Sequence, residues 1–142
     1  MIILSDQRFL MDENEVMQII TRINEYVSQE LWMDFDVTLS NGWDLTIIGR
    51  LDNTTKKVNI EINFEQVHFV SLPFGWKTDT SYPIIKLANE EEIENLTDKF
   101  EVDKGNYIFK FIAEGFDSEK YYFVGAKKIS CLLLDKQTNE LK

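Results

Sequence analysis

Hydrophobic residues recur at two different spacings along the first half of the chain. Val16, Ile19, Ile20, Ile23, Val27 and Leu31 fall at helical intervals, with Gln18, Thr21, Arg22, Glu25 and Gln29 between them. That arrangement predicts a one-sided amphipathic helix near residues 12–31. The stretch Asp12-Glu13-Asn14-Glu15 offers an acid-x-x-Glu start, the form of a capped helix N-terminus. From Met33 the period drops to two. Met33, Phe35, Val37 and Leu39 alternate with Asp34, Asp36, Thr38 and Ser40. Beyond Asn41-Gly42, Trp43, Leu45 and Ile47 alternate with Asp44, Thr46 and Ile48. Two alternating runs around such a dipeptide predict a β-hairpin.

The faces restrict how that hairpin pairs. A two-residue Asn41-Gly42 turn sets Leu39 opposite Asp44 and puts the two apolar sets on opposite faces. A three-residue loop, Ser40-Asn41-Gly42, pairs Leu39 with Trp43, Val37 with Leu45 and Phe35 with Ile47. Both apolar sets then share one face, as a half-buried sheet requires. Gly42 takes the left-handed position of the bulge turn. The expected register is therefore the second, with Trp43 inward.

A third strand is expected near residues 57–64, with Val58, Ile60, Ile62 and Phe64 inward. It pairs Leu51 with Val58 and Ile47 with Ile62, through the polar connection Asn53-Thr54-Thr55-Lys56. Val67 and Phe69 are out of phase with that set, which predicts a bulge near Glu65-Gln66. Residues 73–83, bounded by Pro73 and Pro83, read as a loop. Asn89 with Glu92 three residues on starts a short helix over about residues 90–99, whose apolar positions are Ile93, Leu96 and Phe100. Two aromatic-rich strands follow near residues 106–113 and 120–133, joined through Gly115-Phe116-Asp117-Ser118. The order predicts an α+β fold in a single domain, residues 1–142. Its N-terminal amphipathic helix packs on a curved, mainly antiparallel sheet of about five or six strands, with a second short helix.

Length and charge narrow the function. A chain of 142 residues buries enough surface to fold without a metal or a disulfide, and no cofactor is expected. The 25 acidic residues outnumber the 15 basic ones, giving a formal charge of −10. That balance argues against nucleic acid, whose phosphates need clustered Lys and Arg, and against an anionic membrane surface. It suits a basic protein partner through faster, steered association. No apolar run approaches the ~20 residues of a membrane span. No signal peptide is visible, so the cytoplasm is the expected compartment.

Catalytic machinery is hard to assemble from these residues. His68 is the only histidine and Cys131 the only cysteine. The thiol lies in Ile129-Ser130-Cys131-Leu132-Leu133-Leu134, where a cysteine is usually a small buried hydrophobe. The six glycines form no phosphate-binding loop, and no metal-ligand spacing occurs. An enzyme would need converging carboxylates from among Glu61, Glu65 and Glu114. An acidic run, Glu90-Glu91-Glu92 with Glu94, is explained by the helix dipole.

Two features suggest contact with a partner instead. The proposed register gathers Asp34, Asp36, Asp44, Glu61 and Glu65 on the outward face, with Asp44 across from Glu65. Such a face is a candidate docking surface for Lys and Arg. In Phe74-Gly75-Trp76, two large aromatics flank a glycine, and aromatics of this kind dominate interface hot spots. A small, acidic chain without catalytic groups resembles, in general character, bacterial inhibitor or immunity proteins that mask a basic toxin surface. The expected function is a non-enzymatic intracellular protein-binding module. A homodimer through the exposed sheet edge or the central loop is also possible on this pattern. The alternative is a carrier of a small apolar ligand, held in an aromatic-lined cavity between the curved sheet and the helix; against it, close packing favours Phe109, Phe111 and Phe123 simply filling that space.

Overall fold

The computed structural model describes residues 10–39, 42–52, 54, 56–80, 82–102, 105–113 and 121–134. Helix α1 (Glu13–Val27) is followed by strands β1 (Trp32–Leu39), β2 (Leu45–Arg50), β3 (Ile60–Ser71), β4 (Gly75–Asp79) and β5 (Ile85–Leu87). Helix α2 (Glu90–Phe100) and strands β6 (Tyr107–Ile112) and β7 (Tyr121–Leu133) complete the order among the described residues. The strands form one antiparallel sheet, β4-β1-β2-β3-β7-β6-β5, curled into a half-barrel. The α+β architecture with a curved antiparallel sheet is as expected, with seven strands rather than five or six.

Helix α1 buries Val16, Ile20, Ile23 and Val27 on the inner side of that curl. It ends four residues earlier than the apolar stripe suggests, and Leu31 is 82% exposed. Two bonds from Thr80 draw the chain away from the helix axis: its N–H donates to Leu31 O and its Oγ1 to Glu30 O. Asp12 occupies the N-cap position, but its side chain makes no capping bond. The entry is fixed instead by Met11, whose N–H donates to Lys127 O and whose carbonyl accepts from Tyr107 Oη.

The hairpin register differs from expectation by two residues. Leu39 pairs with Leu45, Val37 with Ile47 and Phe35 with Gly49. A shift of two keeps every side chain on its face, so alternation cannot distinguish the registers. Packing can. A Cβ on Gly49 would come within 2.7 Å of Met33 Sδ and Ile60 Cγ2 and 2.9 Å of Phe35 Cε1. The bare backbone at Gly49 is the space that the Phe35 ring fills. The longer connection carries Trp43 outside the strand, 75% exposed rather than inward. Gly42 does take the left-handed conformation, at φ 58.

β2 and β3 pair Ile47 with Ile62 as expected, but Leu51 does not pair with Val58. The ladder ends at Gly49 and Ile60, and Asn59 Oδ1 accepts from Leu51 N at 3.0 Å instead. The expected bulge is present. Gln66 has φ 55, and the β3–β7 register slips between Val67 and Phe69, with His68 as the surplus residue. Val67 therefore packs toward α1, while Phe69 turns to the other face.

Residues 75–79, expected within a loop, are the edge strand β4, paired with β1. The signal was weak because only Trp76 is an apolar inward residue. Thr78, its inward neighbour, is 2% exposed and satisfies its hydroxyl by donating to Ile112 O at 2.8 Å. Trp76 stacks on Phe35 at 5.7 Å and meets Phe111 and Tyr122 at 5.6 Å. These contacts fasten the free edge of the half-barrel to strands β6 and β7.

Helix α2 lies on the opposite, outward face. Its start is a full capping box: Glu92 N donates to Asn89 Oδ1 at 2.8 Å, and Asn89 N to Glu92 Oε1 at 2.9 Å. Leu96 and Ile93 pack on Ile108, Phe69 and Phe123, forming a second, smaller core. Among the described residues no helix is long and apolar enough to cross a membrane.

Candidate functional site

The strand registers decide what the outward face of β4, β1, β2 and β3 carries. Asp34 lies across from Arg50 on one side and Lys77 on the other. Asp36 accepts from Arg50 Nη1 at 3.0 Å, while Arg50 Nε has no hydrogen-bond partner among the described residues. Glu65 faces Lys128 on β7. Glu61 sits between Ile48 and Leu132. These four acids share the face, as the alternation implies, but three cations are interleaved with them. Cross-strand pairs of opposite charge are mildly favourable, so this part of the face is close to electrical balance.

Asp44 has a different task. It precedes β2, and its Oδ1 accepts from Gln66 N at 3.4 Å. The carboxylate supports the left-handed residue that begins the bulge. The expected confrontation of Asp44 with Glu65 is thereby replaced by a contact with Gln66 and by the Glu65–Lys128 pairing.

The two residues of the aromatic loop part company. Trp76 is half-buried in the main core, whereas Phe74 is 89% exposed at the start of the edge strand. The other prominent aromatic is Trp43, at the same end of the sheet. Its carbonyl accepts from Val67 N at 2.7 Å, which holds the β1–β2 connection against β3. Beside its indole runs a groove of about 340 Å³ lined by Trp43, Gln66, Val67, His68, Asn106 and Lys127. Sequence reasoning did not find this groove. Its one visible trace was the loss of alternation after Phe64, since the same irregular backbone shapes the recess.

The remaining chemistry-bearing groups have structural surroundings. His68 Nδ1 lies 3.1 Å from Gly125 O, and a Cβ on Gly125 would come within 2.5 Å of the imidazole. Gly125 is thus the seat of that ring. Burial pushes the Cys131 thiol up from its ordinary range, with Arg22 opposing weakly, and a raised thiol is a poor nucleophile at neutral pH. Glu114 lies outside the described residues, as does the Gly115-Phe116-Asp117-Ser118 connection. Among the described residues no group of three His, Cys, Asp or Glu side chains is placed to hold a metal ion.

The inner side of the curl is filled. Phe64 meets Phe109 at 5.0 Å and Phe111 at 6.0 Å between ring centroids, and none of the three exceeds 1% exposure. Phe123 belongs to the other core, beneath α2. Phe109 and Phe111 thus fill the inner side, while Phe123 fills a separate interior. The chain matches no protein-family model, no curated protein and no solved structure.

Proposed function

We propose that the protein is a non-enzymatic protein-binding module of inhibitor or immunity type, acting inside the cell on a basic protein partner. The observation that carries this reading is Trp43, which is 75% exposed beside a groove of about 340 Å³. An indole next to a recess can bury a large area on association, and such residues supply most of the binding energy at interfaces. The acids Asp34, Asp36, Glu61 and Glu65 lie on the neighbouring outward face, where their role is orientation more than affinity. Interleaved Arg50, Lys77 and Lys128 select a partner with a patterned rather than a uniformly positive surface. The charge of −10 supplies long-range attraction to a cationic protein.

The test is quantitative capture on the immobilised chain, compared between wild type, W43A and D34K/D36K. A partner retained by wild type should then be produced alone and titrated by calorimetry. Affinity should fall about tenfold or more for W43A, the loss expected of a hot spot, and association should slow with added salt. Binding that ignores both variants, or that is indifferent to salt, rejects the reading.

A further inference from the structure

We propose that β4 is a homodimerisation edge, pairing antiparallel with β4 of a second copy about a two-fold axis through Thr78. This inference does not rest on the partner reading above, although Lys77 takes part in both surfaces.

The first observation is which backbone groups face outward. β4 is the terminal strand of the sheet order, and among the described residues only its β1 side is paired in the ladder. Val37 N donates to Phe74 O at 2.7 Å. Opposed residues in an antiparallel ladder alternate between bonded and non-bonded pairs. The bonded set therefore continues through Phe35–Trp76 and Met33–Thr78. Gly75, Lys77 and Asp79, in the opposite phase, turn their main-chain groups toward the outer edge. An exposed edge of this kind is a template for another strand.

The second observation is the charge pattern. In a two-fold interface each residue contact occurs twice, reciprocally. An axis through Lys77 would set that lysine against itself. An axis through Trp76 would set Lys77 against Gly75, with no charge to meet. An axis through Thr78 pairs Lys77 with Asp79 of the second copy, and Asp79 with Lys77, giving two opposite-charge pairs. Lys77 and Asp79 lie on the outward face, since Thr78 between them points inward. The Lys77 ammonium lies 4.5 Å from the Trp32 ring centroid on β1, so it must swing from that ring to meet the second copy. A carboxylate accepts several donors, so contacts of Asp79 within its own chain do not bar the ammonium of the second copy.

The third observation concerns the large exposed side chains that flank the strand. Phe74, 89% exposed, lies four residues before Thr78, and Tyr82, 69% exposed, lies four residues after it. Phe74 precedes β4 and Tyr82 follows it, so both add exposed apolar surface beside the joined edges. Charge selects Thr78 as the centre, and backbone phase allows it.

The experiment is light scattering with size exclusion and sedimentation on the full chain. Wild type should show twice the 16.7 kDa chain mass at micromolar concentration. K77D and D79K each place like charges together and should raise the dimer dissociation constant at least about tenfold, since like-charge juxtaposition is costly. An equimolar mixture of K77D and D79K should recover a dimer, because each acid then meets a lysine, and the double exchange K77D/D79K should dimerise alone. That recovery also shows both single variants to be folded. K77P, which removes an outward N–H but no bond to β1, should be monomeric. A wild type that stays monomeric overturns the proposal, as does a dimer indifferent to the single exchanges. Single variants that are monomeric yet fail to recombine overturn the register.

Discussion

The Lys110 ammonium is joined to the Glu92 carboxylate on the outward face of β6, with Lys110 only 7% exposed. The same ammonium lies 3.7 Å from the Tyr121 ring centroid. The pair fastens the first turn of α2 to the sheet. Burial resists charge on Glu92, but the bonds from Lys110 and from the Asn89 backbone prevail and hold its carboxyl below the ordinary value of 4.5. A depressed carboxyl stabilises the fold fully above its unfolded value, and the contribution is lost as pH falls through 4.5 toward the folded value. Thermal melts taken downward from pH 6 should thus fall more steeply for wild type than for E92Q. Parallel curves would show that the pair contributes nothing to the acid limb.

A second outcome concerns Asp44 and Glu65. The sequence pattern alone makes them repel, so that D44N/E65Q would stabilise. The structure reverses the sign. Asp44 supports Gln66 N, and Glu65 faces Lys128. D44N keeps an oxygen that accepts from Gln66 N, so the double change should lower stability by about 0.2–1 kcal/mol, the range of an exposed ion pair, read as a lower denaturant midpoint.

Asn24 ties α1 to the far edge of the sheet. Its Nδ2 donates to Ile85 O at 2.9 Å, and its Oδ1 accepts from Ile84 N at 2.8 Å and from Ile85 N at 3.3 Å. Ile84 and Ile85 are at most 1% exposed, so water cannot readily replace these bonds. N24A should cost about 1–3 kcal/mol, the penalty for leaving buried groups unsatisfied. N24D keeps an acceptor for the two N–H groups but removes the donor to Ile85 O, and should be intermediate in urea denaturation.

Glu101 closes α2 in the left-handed conformation, φ 55, with its N–H donating to Thr97 O at 2.9 Å. A residue bearing a Cβ pays about 1 kcal/mol or more there. E101G should therefore raise the melting temperature without altering the helix content seen by circular dichroism. A decrease would show that the Glu101 side chain contributes more than the strain it causes.

Much of this architecture was legible because a half-buried element must declare its period. The stripe from Val16 to Val27 fixed α1, and the alternation through Ile60, Ile62 and Phe64 fixed both a strand and its pairing with Ile47. The hairpin register was not legible, because face matching repeats every two residues. Only the lack of a side chain at Gly49, opposite Phe35, chooses between solutions. Strand β4 escaped notice because Thr78 occupies an inward position with a polar group whose partner, Ile112 O, is 34 residues away. The candidate site fared unevenly for the same reason. That Asp34, Asp36, Glu61 and Glu65 share a face follows from alternation. That Arg50, Lys77 and Lys128 stand among them follows from neighbours that no single strand reveals. The exposure of Trp43 depends on a connection two residues longer than face matching needed.

The surplus residue at His68 gives β3 a double allegiance. Ahead of it the strand lends its oily side to the helix within the curl; behind it, to the helix on the back. One inserted amino acid thus lets a single ribbon serve as the party wall of two separate interiors, so that the two helices, which flank the sheet from opposite sides, are insulated by the same strand that unites them.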